Sequence, residues 1–129
     1  MDNNVKIFLG VIGLLVLGVI GTVVLRSDST PVGPGKYDTF ATCLREKGAV
    51  FYGAFWCPHC QAQKKLFGSS QKLLPYVECS TVNGAGQLQI CKDKNITGYP
   101  TWDFADQSRL SGEISLSQLA EKTSCKLPE

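Results

Sequence analysis

Apolar and polar positions divide the chain into two unlike parts. From Ile7 to Leu25 no charged residue appears, and the apolar positions follow no face. Nineteen residues of helix at 1.5 Å each span roughly 28 Å, about the thickness of a bilayer core. The pattern predicts one transmembrane helix, an uncleaved anchor over residues 1–26. A cleavable leader is the competing reading. Its apolar region would normally be shorter, about 7–15 residues, and "VVLRSDST" offers no small-x-small cleavage site. Ser, Pro and Gly then dominate residues 27–35, which read as a flexible linker.

From residue 36 to 129 the periods change repeatedly. "YDTFATCLREK" places Tyr37, Phe40, Ala41 and Leu44 at helical spacing, with Gly48 as a stop. "AVFYGAF" is a short apolar run bounded by turn residues, which reads as a buried strand. Pro58 to about Gly68 reads as a helix with proline in its first turn, where the missing N–H costs nothing. "PYVECS" predicts a strand and "GQLQICKDKNI" a short helix. "PTWDF" and "RLSGEI" predict two strands around a turn at "ADQS". "SLSQLAEKTSC" predicts a closing helix capped by Ser115 or Ser117, with Leu116, Leu119 and Ala120 facing inward. A β-α-β unit followed by a hairpin and a helix makes an α/β domain, a mixed sheet with helices on both faces.

Composition narrows the function. The net charge of +2 with 19% charged residues, and no basic stripe, argues against a nucleic-acid partner. Six cysteines in 129 residues point either to a disulfide framework or to redox chemistry. Those cysteines ask for an oxidising compartment. The sequence therefore predicts a single-pass protein of the cytoplasmic membrane, with its C-terminal domain in the periplasm or extracytoplasmic space.

Two of the cysteines lie in "AFWCPHCQAQKK", where the predicted strand gives way to a helix. A helix N-terminus carries unpaired N–H groups and the positive end of the dipole, which favour a thiolate at Cys57. Cys60 lies one turn further in, where it can close a small disulfide loop. This is an exposed nucleophile backed by a resolving thiol. Pro58 holds the turn, and His59 adds a dipole, and a positive charge when protonated, beside the thiolate. A stabilised thiolate favours the reduced form and makes the disulfide a stronger oxidant. A drop of roughly 3.5 pKa units is worth about 100 mV for two electrons. A buried staple and a zinc site are the competing readings. Zinc needs two further ligands, and Cys79 and Cys91 do not form a second C-x-x-C, so no metal is expected.

"FWCPHC", followed about forty residues later by "TGYPTWDF", resembles the thioredoxin-like family. The Cys-Pro-His-Cys motif is that of the DsbA-type bacterial disulfide-forming oxidants. The longer pattern from Phe40 to Cys125 is similar to the thioredoxin-like domain fused to bacterial vitamin K epoxide reductase homologues. The resemblance implies that Cys57 exchanges with substrate and Cys60 resolves. It implies that Pro100 is a cis-proline facing the site, flanked by Tyr99 and Thr101, with backbone free to pair with an extended substrate. Trp56 matches the aromatic residue before the first cysteine and would line the site. One position departs from the family. Six residues before the first cysteine, where the family carries a buried acid, stands Phe51, and the sequence suggests no replacement as proton acceptor for Cys60.

Cys43, Cys79, Cys91 and Cys125 allow three pairings. Neighbouring elements favour Cys79–Cys91, leaving Cys43–Cys125 to join the first and last helices of the domain. A relay of electrons through one of these pairs is the functional alternative. The reading as a whole is a thiol–disulfide oxidoreductase that donates the Cys57–Cys60 disulfide to exported cysteine-containing proteins. A vitamin K epoxide reductase-like membrane oxidase would reoxidise it. No cofactor is expected beyond the redox-active disulfide, with quinone entering only through that partner. The alternatives are a reductase or isomerase fed by membrane electrons, and a non-catalytic binding module.

Overall fold

The computed structural model describes residues 2–25 and 34–129, with side chains of the first helix described through residue 18. Two units are distinguished, the N-terminal helix and a unit beginning at Gly33.

Helix α1 spans Asn3–Leu25. Among the described residues, no helix is long and apolar enough to cross a membrane. This overturns the expected single-pass anchor over residues 1–26, and with it the assignment to the cytoplasmic membrane. The first turn of α1 holds Asn3, Asn4 and Lys6. The linker expected over 27–35 lies outside the described residues up to 33.

The second unit is a four-stranded mixed sheet flanked by helices. Helix α2 (Asp38–Glu46) buries Phe40, Ala41 and Leu44 on one face. It ends where Gly48 takes φ +76°, a conformation that favours glycine. Strand β1 (Val50–Gly53) lies inside the sheet, with Phe51, Tyr52 and Gly53 all buried. Helix α3 is Pro58–Lys65, β2 is Tyr76–Glu78, and α4 is Gln89–Asp93. Strands β3 (Thr101–Asp103) and β4 (Arg109–Ser111) precede α5 (Leu116–Thr123). The strand order is β2-β1-β3-β4. Strand β2 runs parallel to β1, while β3 runs antiparallel to both β1 and β4. The parallel pair requires the crossover that α3 supplies.

Strand alternation sends Phe51 to one face and Tyr52 to the other. Phe51 joins the main core with Phe40, Leu44, Phe67, Trp102 and Leu119. Its ring stacks on Trp102 at 4.9 Å between centroids and meets Tyr76 edge-on at 5.1 Å. Tyr52 packs on the opposite face with Cys79, Cys91 and Ile96.

Several elements are shorter than their apolar runs. The strand in "AVFYGAF" stops at Gly53, because Ala54 onward turns toward the helix. Helix α3 stops at Lys65 rather than Gly68. Phe67 N–H bonds Lys64 O three residues back, and a 3-10 turn follows over Gly68–Leu73. Strand β4 stops at Ser111 because Gly112 adopts φ +91°. Ser115 caps α5 in a capping box: its hydroxyl accepts from Gln118 N–H, and the Gln118 side chain accepts from Ser115 N–H. Leu119 is fully buried, and Leu116 and Ala120 pack against the core.

Candidate active site

Cys57 is the N-cap of α3, with extended backbone (φ −77°, ψ 118°), and Pro58 opens the helix. The turn before it is pinned from three sides. Cys57 N–H bonds Ala54 O at 3.0 Å, the Gln61 amide bonds Phe55 O at 2.8 Å, and Phe55 N–H bonds a Glu78 carboxylate oxygen at 3.2 Å. Cys57 and Cys60 are both free thiols in this structure. Cys57 is only 6% exposed and Cys60 is fully buried, so the nucleophile expected to be exposed is largely covered here, with Cys60 deeper still.

Burial pushes the Cys60 thiol up, to about 12, and the adjoining Cys57 sulfur adds to the rise. A backbone hydrogen bond at Ala54 and the charge of Lys64 oppose it. Cys60 therefore holds its proton at neutral pH, and any exchange through it must move that proton.

The remaining positions singled out in the sequence lie around this pair. The Tyr99–Pro100 bond is cis. The Cys57 thiol donates to Tyr99 O at 3.7 Å, which puts the sulfur against the backbone just before Pro100. Thr101 Oγ1 donates to Gly98 O at 2.8 Å and closes that loop from inside. Trp56 is half exposed. Its indole N–H donates to Ser80 Oγ at 2.8 Å, and its ring meets Tyr99 edge-on at 6.1 Å. His59 is exposed to solvent, and its Nδ1 lies 2.6 Å from Glu113 Oε1. The structure joins Cys43 to Cys125 and Cys79 to Cys91. Among the described residues, no three His, Cys, Asp or Glu side chains converge as a metal-binding group.

Sequence reasoning did not reach four residues of this neighbourhood. Glu113 arrives from 54 positions away to meet His59. Glu78 accepts from Phe55 N–H, Ser80 N–H and the Tyr76 hydroxyl, the last at 2.7 Å. Lys64 lies over the Tyr76 ring, 3.4 Å from its centroid. Gln63 is fully buried between α3 and Ile114, accepting from Ile114 N–H at 2.6 Å and donating to Ile114 O at 2.9 Å. Only Gln63 carried a local signal. It sits three residues after Cys60 on the buried face of α3, where a polar side chain must find partners.

Glycine at 53 keeps the two sulfur-facing elements together. A Cβ there would stand 2.9 Å from Cys60 Sγ and 2.8 Å from Tyr76 Cε2. Only a hydrogen fits, so Cys60 and the Tyr76 ring close over the end of β1.

Residues 36–124 match the family described as Thioredoxin. Thiol-disulfide oxidoreductase LTO1 of Arabidopsis thaliana is 47% identical over 90 residues, covering 67% of this chain and 24% of that protein. The chain thus spans about a quarter of the length of this curated relative. The family match covers most of the chain, and on it the assignment rests: the chain belongs to the thioredoxin family.

Proposed function

We propose that Cys57–Cys60 is a disulfide donor to cysteine-containing proteins. The observation that carries this reading is the placement of Cys57 at the N-cap of α3, with its sulfur against Tyr99 O. The helix dipole favours negative charge on Cys57 and so favours the reduced pair, which makes the disulfide a strong acceptor of electrons. Donation begins when a client thiolate attacks Cys57 Sγ. The Cys57–Cys60 bond breaks and Cys60 leaves with the electron pair and takes up a proton. A second client thiolate then attacks the client sulfur of the mixed disulfide, and Cys57 leaves as thiolate. The client gains a disulfide, and this protein keeps two electrons and the dithiol.

The client would lie extended beside Tyr99, Pro100 and Thr101, with Trp56 as an apolar wall. The dithiol needs an oxidant to return it to the disulfide. The similarity to the domain fused to vitamin K epoxide reductase homologues supports a quinone-linked enzyme of that type as the partner. Two structural disulfides support a compartment that keeps thiols oxidised.

One observation favours the opposite direction. Glu113 stands 2.6 Å from His59, and a carboxylate there offsets part of the positive charge that would hold the Cys57 thiolate. That reading makes the protein a reductase. The potential of Cys57–Cys60 in the full chain, measured by equilibration with glutathione at pH 7, decides between them. A donor gives a value well above thioredoxin's roughly −270 mV, toward the roughly −120 mV of DsbA. A value near thioredoxin's overturns the donor assignment.

A further inference from the structure

Phe51 occupies the position of the family's buried acid, so the Cys60 proton needs another carrier. Strand β1 carries no carboxylate, and its last residue, Gly53, lies against Cys60. The ionisable groups around it come from two elements. Helix α3 supplies Cys57 and Lys64, and β2 supplies Tyr76, whose hydroxyl donates to Glu78. His59, on the same helix, is turned to Glu113, and Lys72 of the 3-10 turn acts on Asp38.

Lys64 follows Cys60 by four residues, which puts the two side chains on one face of α3, a turn apart. The Tyr76 ring joins them. Its Cε2 and Cys60 Sγ both border the space that a Cβ on Gly53 would fill, at 2.8 and 2.9 Å, and its face carries the Lys64 ammonium at 3.4 Å. The Tyr76 hydroxyl is tied to Glu78, and two backbone N–H groups hold Glu78, so the ring cannot swing away. Lys64 is half-buried against an aromatic face, where a cation is attracted more strongly than at an open site.

We propose that Lys64 is the acid–base partner of Cys60, positioned by Tyr76 and Glu78. When the Cys57–Cys60 bond is attacked at Cys57 and breaks, the electron pair goes to Cys60 Sγ and a proton moves to it from Lys64 Nζ. The neutral amine then regains a proton from solvent. In the reverse step the neutral amine takes the Cys60 proton as Cys60 attacks the mixed disulfide at Cys57. A lysine suits this thiol better than a carboxylate would. An ammonium is a far weaker acid than a carboxyl group, so it lies nearer a thiol that burial raises to about 12, and burial of Lys64 favours release of its proton. This inference rests on Cys57–Cys60 being the working redox couple.

The test follows opening of the Cys57–Cys60 disulfide by reduced glutathione in the full-length chain, from pH 6 to 10, with the rate corrected for the glutathione thiolate fraction. Wild type should show a plateau that declines on the alkaline side, as Lys64 loses its proton. Lys64→Met should be slower on the plateau by roughly a hundredfold, the low end for a positioned proton donor, and should lack the decline. Lys64→Arg keeps the charge but cannot give up its proton in this range, so it should behave like Lys64→Met. The inference is overturned if either variant keeps the wild-type plateau rate or its alkaline decline. Thermal unfolding of each variant separates a folding defect from a change in the pH profile. A wild-type chain that exchanges no disulfide with glutathione sinks the redox reading itself, which is a different result.

Discussion

Replacing Cys43 and Cys125 together by alanine should unfold much of the margin on which this small domain stands. The bond joins α2 to the residue beyond the αL turn that ends α5, across a sequence separation of 82. Freeing a loop of that length in the unfolded chain costs about 4.5 kcal/mol in the chain-entropy treatment. Domains of this size are stable by about 5–15 kcal/mol, so the double variant keeps a small remainder. At 4–8 °C per kcal/mol, the midpoint should fall by roughly 20–35 °C. The assay is urea unfolding of the full chain followed by tryptophan fluorescence, since Trp102 is fully buried. The m-value should rise as well, because an uncrosslinked chain exposes more surface when it unfolds. The Cys79–Cys91 bond is a poorer probe. Its separation of 12 predicts about 2.8 kcal/mol, but both sulfurs are fully buried and their removal adds a packing loss of its own. The double variant also tests the relay alternative, since a purely structural bond leaves disulfide exchange at Cys57 unchanged at temperatures where the variant is folded. A loss under about 2 kcal/mol with an unchanged m-value would refute the entropic reasoning. Loss of exchange in a folded variant would refute the structural assignment.

Two further outcomes follow from contacts already described. Gly53→Ala forces a methyl to within 2.9 Å of Cys60 Sγ and 2.8 Å of Tyr76, so it should cost about 1–3 kcal/mol in urea unfolding and slow disulfide closure; wild-type values for both would show that the contact is slack. Lys122 and then Ser108 hold the Asp106 carboxyl well below the usual carboxylate range. Its contribution is therefore present above the unfolded value near 4 and lost as pH falls through the lower folded value. Asp106→Asn should lower the melting temperature at pH 7, and the gap to wild type should close in acid; a gap that persists undiminished at pH 2 would contradict the ion pair as its source.

The fold was legible where local pattern and tertiary environment agree. Phe40, Ala41 and Leu44 recur at helical spacing and are buried together, and "VFYG" is a buried strand in a run too short for a helix. Boundaries were less legible, because apolar runs continue into turns that backbone bonds decide. Phe55 and Trp56 extend the strand's apolar run yet stand half exposed in the turn before α3. The 3-10 turn over "GSSQKL" has no apolar period to announce it. The N-terminal helix shows the reverse failure. Nineteen uncharged residues were read as a membrane span, and no helix among the described residues is long and apolar enough to cross one. At the site, the Cys57–Cys60 turn and the proline at 100 were legible because each is carried by adjacent residues. Glu113, Tyr76 and Glu78 were not, because only the sheet order and the crossover bring them to α3.

The Gln63 amide has a consequence for which packings the chain can adopt. Its donor and acceptor meet the N–H and carbonyl of Ile114 as a second peptide unit would. Apolar contacts between α3 and the start of α5 would tolerate a slide of a few ångströms with little change in buried area. The amide tolerates none, since any slide leaves a buried donor and a buried acceptor without partners at once. It works as a key in a lock between α3 and the segment that leads into α5 and rejects near-miss registers that hydrophobicity alone would accept. Because Glu113 is the residue next to Ile114, the same key sets where a negative charge stands relative to His59. The electrostatics at the mouth of the site are thus addressed through the core, by main chain, rather than left to the wandering of a surface side chain.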